Sequence, residues 1–495
     1  MNKILPLLMS VLTLSAAGTK PTQPQMVALP SKEPLVSVRI VFLTGSADDP
    51  AGKEGLAALT AAMLSEGGSK NRTYKQIVDT FYPMASGLNS YVDKEMTTFT
   101  GTTHVDNLEK WYAVIREMLL EPGWRADDLT RLRDHQINFL RTSLRGNNDE
   151  ELGKEVLYNR IYEGHPYGHH NSGTVSALNS ITLTDLQEFY KKKYTRGRVI
   201  IGIGGGYPDS FRAQIEKDFA RLGAGGPAER KLAQPKAPDG IRVTMIEKPT
   251  RSIAYSFGFP IDVKRGHPDY PALLVAQSYL GQHRNSGGQL YNRIREARGI
   301  NYGDYAYIEY FPRGMFQFEP DPNLARSQQI FQVWIRPVEP PTAQFTLRLA
   351  FWEMQKFVNE GLSEEAFQRS RSFLSKYVNL LMKTKTAELG YTIDSRFYDI
   401  PEYATYLKTA LAKLTREDVN KAIKRHLRAD RLDLVIVGQG MEAFKQELVS
   451  NKPSPMTYNS PKPEQILEED KKVQALNLGL KPESMTVIPV EKVFE

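Results

Sequence analysis

Ile181-Thr182-Leu183-Thr184-Asp185-Leu186-Gln187-Glu188-Phe189-Tyr190, continued by Val199-Ile200-Ile201-Gly202-Ile203, lies without gaps on a second stretch of the same chain. That stretch is Leu414-Thr415-Arg416-Glu417-Asp418-Val419-Asn420-Lys421-Ala422-Ile423, continued by Leu432-Asp433-Leu434-Val435-Ile436. Both read as a helix start, a basic helix, a strand and then glycine. The stretches that precede them correspond as well, with Ala126-Asp127-Asp128-Leu129 resembling Glu364-Glu365-Ala366-Phe367. Self-similarity of this kind predicts an α+β chain built as a tandem of two homologous units, each a mainly antiparallel sheet with helices packed on one face.

Outward from the repeat, Val36, Val38, Ile40 and Phe42 alternate with Ser37, Arg39 and Val41, the period of a strand half-buried in an antiparallel sheet. A loop over residues 45–52 follows, and helical periodicity covers residues 55–64, 74–85, 105–120, 126–144 and 151–162. Residues 223–240, rich in Gly, Pro, Ala and Lys without a hydrophobic period, read as an interdomain linker. Strands are expected at 241–246 and 252–259. The units are therefore placed at 34–222 and 241–450, with residues 451–495 as an extended tail over the surface.

The bulk numbers agree with a multi-domain globular chain, since 495 residues exceed the roughly 100–200 of one domain. Residues 1–18, a charged start, a short apolar run and then Ser15-Ala16-Ala17-Gly18, read as a secretory signal peptide. That predicts a periplasmic or secreted protein with no integral membrane segment in the mature chain, because the apolar run is too short to span a bilayer. The chain has no cysteine, so a disulfide framework and a lipid-modified cysteine are both excluded. Its net charge of +7 comes from dispersed Lys and Arg, not from a basic block interleaved with aromatics, which argues against a nucleic-acid partner.

Residues Gly45-Ser46-Ala47-Asp48-Asp49-Pro50-Ala51-Gly52-Lys53-Glu54-Gly55-Leu56-Ala57, with Met63 beyond, resemble the entry to the zinc-binding helix of the insulinase/pitrilysin metallopeptidase family. In that family the helix carries H-x-x-E-H, two His holding the metal and the Glu activating water. The matching positions here are Ala58, Ala61 and Ala62. Alanine offers no lone pair and no proton acceptor, so this degenerate site holds no metal and the chain has no catalytic residues of its own. The third ligand that the resemblance implies falls near residues 138–141, where no acidic residue stands; Glu150 and Glu151 lie further on. The three alanines read instead as room for a neighbouring element to pack closely.

A second motif is intact. Leu280-Gly281, Gln289-Leu290-Tyr291, Arg293, Ile294-Arg295-Glu296, Arg298-Gly299-Ile300 and Tyr302 resemble the C-terminal Arg/Tyr motif of the family. The resemblance implies that Arg295 and Tyr302 reach, in trans, toward substrate near a zinc held by another half or subunit. A guanidinium and a phenol can orient a peptide carbonyl and stabilise its oxyanion by roughly 2–4 kcal/mol per donor. Gly299 is expected to end the helix bearing Arg295, and Tyr302 to begin a strand in which Tyr302, Asp304 and Ala306 share one face.

Three other signals carry less. His165-Pro166-Tyr167-Gly168-His169-His170 lacks the fixed spacing that converges ligands, and reads as a turn. Gly202-Ile203-Gly204-Gly205-Gly206 lacks the rest of a dinucleotide-binding unit, and its counterpart after Val435 is also a strand-to-glycine turn. Ser65 and Ser210 have no base to activate them. The expectation is a non-catalytic, substrate-orienting subunit that pairs as a heterodimer with a zinc-bearing homologue and acts on unfolded peptide. The alternative is a non-enzymatic peptide-binding or scaffold protein, active as a homodimer.

Overall fold

The computed structural model describes residues 22–226, 232–282, 285–312 and 318–495. The signal peptide expected at 1–18, and residues 227–231 of the expected linker, lie outside them. The first unit carries strands β1 (Gln25–Pro30), β2 (Leu35–Phe42), β3 (Asn89–Val92), β4 (Thr97–His104) and β5 (Val199–Gly205). The second carries β6 (Ile241–Glu247), β7 (Ile253–Ile261), β8 (Asp304–Tyr307), β9 (Gln329–Val338), β10 (Leu432–Gly438) and β11 (Met485–Pro489). The sheets run β1-β5-β2-β4-β3 and β11-β6-β10-β7-β9-β8. Their interiors are antiparallel, while β1 joins β5, and β6 joins both β10 and β11, in parallel.

Both copies of the repeat start their helix in the same way. Thr182 caps Leu183–Lys193 and Thr415 caps Arg416–His426, each with the third helical residue, Asp185 or Asp418, bonding back to the threonine backbone. This reciprocal arrangement satisfies two backbone N–H groups that the first helical turn leaves without partners. The strands that follow, β5 and β10, lie inside their sheets.

The half-buried strand expected at 36–42 is buried on both faces: Ser37 is 6% exposed and Arg39 9%. The reason is an exchange of helices between the units. Asp149–Ile161, from the first unit, lies across β10, β7 and β9 of the second sheet. Lys385–Phe397, from the second, lies across β5, β2 and β1 of the first. Val36, Val38, Ile40 and Phe42 pack into the first unit's own core, while Val41 meets Leu389 and Ile393 on the opposite face. There Ser37 Oγ bonds Thr386 Oγ1 at 3.0 Å, and Arg39 donates to Asn323 Oδ1 at 2.7 Å.

The glycines of β5 serve this crossing. A Cβ on Gly202 would meet Leu389 Cδ2 at 3.2 Å and Ile393 Cδ1 at 3.3 Å, so a larger residue there would require these side chains to give way.

Other boundaries also differ from the sequence reading. The helix expected over 126–144 is α-helical for Ala126–Asn138 and then widens into a π-turn at Phe139–Leu144. The helix expected to run from 74 to 85 ends at Phe81 and tightens into a 3-10 turn, where Pro83 cannot donate to the α ladder. Residues 451–495 are not an extended tail. They form the helix Glu464–Val473, add β11 to the second sheet, and end against the first unit. There the amides of Val175 and Ser176 donate to the carbonyls of Phe494 and Glu495. A bidentate pair, Arg326 on Asp93 at 2.7 and 2.5 Å, joins the units in the interior, with Arg326 over the Tyr310 ring at 3.4 Å.

Candidate functional site

The helix bearing Ala58, Ala61 and Ala62 runs from Leu56 to Glu66. Its start is held by a residue well before it in sequence: the buried Asp49 carboxylate accepts from the Gly55 amide at 2.8 Å and the Ala57 amide at 2.7 Å. Burial pushes the Asp49 carboxyl up, and the His169 ring 3.2 Å away pulls it back down. The helix Ala126–Asn138 lies antiparallel alongside. Gln136 Nε2 donates to the Gly55 carbonyl at 3.4 Å at one end, and Arg131 donates to the Glu66 carbonyl at 2.5 Å at the other. Ala61 is 1% exposed, and Ala58 and Ala62 are half-buried against the same core.

Zinc does not fit these residues. The three alanines have no lone pairs, and the expected third-ligand region is already engaged. Asn138 accepts from Thr142 at 3.0 Å, Phe139 lies 6.0 Å from the His170 ring, and Arg141 donates to Glu495 at 2.6 Å. Glu150 pairs with Arg336 at 3.2 Å and Glu151 with Lys154 at 2.5 Å, so both carboxylates are already engaged.

His165, His170 and Ser65 have structural partners. His165 Nδ1 accepts from the Tyr167 amide and His170 Nδ1 from the Ser172 amide, which makes this run a self-bonded turn. Ser65 Oγ donates to the Ala61 carbonyl at 3.0 Å, and Ser210 is exposed on the helix Asp209–Phe219. Among the described residues one group has metal-ligand proximity: His267, Asp269 and His426. It ties two helix ends together. Asp269, at the start of Tyr270–Gly281, accepts from His426 at 2.7 Å and Arg425 at 2.6 Å, both at the end of Arg416–His426. Acid at a helix N-terminus and base at a C-terminus complement both macrodipoles. His267 Nδ1 is also taken, by the Asp269 amide at 3.0 Å.

The structure brings Arg295 and Tyr302 together. Arg295 lies in a π-turn, Tyr291–Glu296, and Gly299, at φ 73°, ends it by donating its amide to the Arg295 carbonyl at 2.7 Å. Tyr302 does not begin a strand. It is 79% exposed in the loop before β8, which starts at Asp304, while Asp304 and Ala306 are fully buried. The Arg295 guanidinium stands 5.0 Å from the Tyr291 ring centre and 6.0 Å from that of Tyr302, and it bonds Tyr291 and Glu296. A half-buried guanidinium beside an exposed phenol leaves donors for an acceptor arriving from outside.

Sequence reasoning missed the groups that fix this turn. Arg293 Nε donates to Glu353 at 3.0 Å, and Arg298 donates to Glu469 at 2.7 Å and Asp470 at 2.9 Å. It also missed Asp49 as the cap of the alanine helix, which its place in Asp48-Asp49-Pro50, just before a helix, could have suggested.

Comparison with known proteins places the chain. Residues 26–175 match the family described as insulinase (peptidase family M16), and residues 180–374 match the peptidase M16 inactive domain. An uncharacterized zinc protease of Rickettsia bellii is 22% identical over 283 residues, 57% of this chain and 66% of that protein. A probable mitochondrial-processing peptidase subunit beta of Arabidopsis thaliana is 25% identical over 225 residues, 45% of this chain and 42% of that protein. The chain thus spans less than two thirds of the length of either relative. Among solved structures, the peptidase M16 inactive domain from Pseudomonas fluorescens superposes with a TM-score of 0.74 at 22% identity, covering 89% of this chain and 98% of that one. A chain of Complex III2 from Candida albicans does so with a TM-score of 0.67 at 13% identity, covering 85% and 95%. With the matched regions running through both units and the two-sheet fold shared, the chain belongs to the insulinase (M16) peptidase family.

Proposed function

We propose that this chain is the non-catalytic, substrate-orienting member of a secreted M16 peptidase pair, whose other member is a homologue bearing an intact zinc helix. Three alanines where the chemistry needs two imidazoles and a carboxylate remove the means to bind zinc or activate water. The observation that carries the reading is the half-buried Arg295 beside the exposed Tyr302, next to two arginines that are both fixed. Their donors suit an unfolded peptide carbonyl and the oxyanion that develops on it. A relative named as a mitochondrial-processing peptidase subunit beta supports work as a subunit. The apolar start of the sequence supports export to the periplasm or beyond.

The test is turnover of an unstructured fluorogenic peptide by the mixed pair. Arg295→Ala and Tyr302→Phe are expected to cut kcat by about 100- to 1000-fold, the usual cost of one oxyanion donor, while the two chains still co-elute. Unaltered turnover by both variants would remove the orienting role. Peptide binding by this chain without stimulation of the homologue would favour the scaffold alternative.

A further inference from the structure

Arg293 and Arg298 bracket Arg295, and both are gripped by residues far away in sequence. Arg293 pairs with Glu353 and Glu469. The Arg298 side chain, fully buried, donates to Glu469 Oε2 at 2.7 Å, to Asp470 Oδ1 at 2.9 Å and to the Arg293 carbonyl at 2.8 Å. The last of these bonds crosses the turn and satisfies a carbonyl inside it. Tyr458 donates to Asp470 Oδ2 at 2.5 Å and fixes that carboxylate. Glu469 and Asp470 belong to the helix Glu464–Val473, which lies beyond both matched family regions.

The chemistry is specific. Two guanidiniums and three carboxylates are withdrawn from water together, an arrangement that is costly unless each charge is met in good geometry. Sheet closure alone does not need it, since apolar packing would serve as well. The network does fix the turn in one orientation while Arg295 and Tyr302 are left outside it.

We propose that Glu469 and Asp470 are positioning residues, which through Arg293 and Arg298 set the direction in which Arg295 and Tyr302 meet substrate. This rests on the orienting role argued above. The helix Glu464–Val473 is then a buttress of the site and not a surface appendage.

The test uses Glu469→Gln with Asp470→Asn, and Glu469→Gln alone as a milder variant in case the double one fails to fold. In the full chain by itself, amide hydrogen exchange across residues 291–303 is expected to accelerate about 10-fold or more, with the two sheets unchanged. In the mixed pair, kcat is expected to fall about 10- to 100-fold with KM held within about twofold, as for a misplaced transition-state donor. Unchanged exchange overturns the inference, and so does faster exchange with unchanged kcat. Arg295→Ala separates the two ideas: if it slows the pair and the 469/470 variants do not, only the positioning role falls, whereas if it has no effect the orienting role falls with it.

Discussion

Alanine at positions 58, 61 and 62 offers no lone pair to a metal, and that much is legible in sequence because it depends on residue type alone. The proximity of Arg295 and Tyr302 was legible in the motif that resembles the family's. Their surroundings were not, since the partners of Arg298 lie about 170 residues further along the chain. Nor does sequence show how burial alters an ionisable group. Glu319 is 3% exposed, and burial pushes its carboxyl up to about 8, with the Glu309 carboxylate adding to the effect and Arg265 opposing it. Between about pH 4.5 and 8 the unfolded chain releases this proton while the folded chain keeps it, so the group costs stability as pH rises through that window. Glu319→Gln is therefore expected to stabilise the protein by about 2–4 kcal/mol at pH 7 in denaturant melts, and the two curves should converge as pH approaches 4.5. An equal effect at both pH values would show that the residue acts through packing instead.

At the scale of elements, the repeat carries the most information, because local capping and periodicity are short-range properties. Thr182 and Thr415 make the same reciprocal cap in the two units. Each change to alanine is expected to cost about 1 kcal/mol, and the pair about twice that, since the sites share no partner. Losses well below this in urea titrations would mean that tertiary packing alone holds the helix starts. Strands β1, β3, β4, β9 and β11 escaped the sequence reading. Of these, β1 and β11 are short and lie at sheet edges in parallel pairing, so neither shows the alternation of a strand with one wet face. The alternation along β2 gave the correct strand but the wrong exposure, because its second face is covered by a helix from the other unit.

At the scale of the whole molecule, that exchange of helices makes the two units one object. Each sheet has its own helices on one face and a borrowed helix on the other, and Arg326 on Asp93 ties the interiors together. The segment after residue 450 completes the arrangement. It grips the Arg/Tyr turn through Glu469 and Asp470, extends the second sheet, and ends on Arg141 and Arg145 beside the alanine helix's neighbour. The molecule thus ties the turn bearing Arg295 to its last helix, and the helix Leu56–Glu66 has alanine at positions 58, 61 and 62. The most direct measurement is the zinc content and peptidase activity of the purified chain, alone and mixed with a homologue carrying an intact H-x-x-E-H helix. The account predicts no bound zinc and no cleavage by the chain alone, with zinc-dependent cleavage that appears or rises strongly in the mixture. Stoichiometric zinc and peptide cleavage by this chain on its own would contradict it.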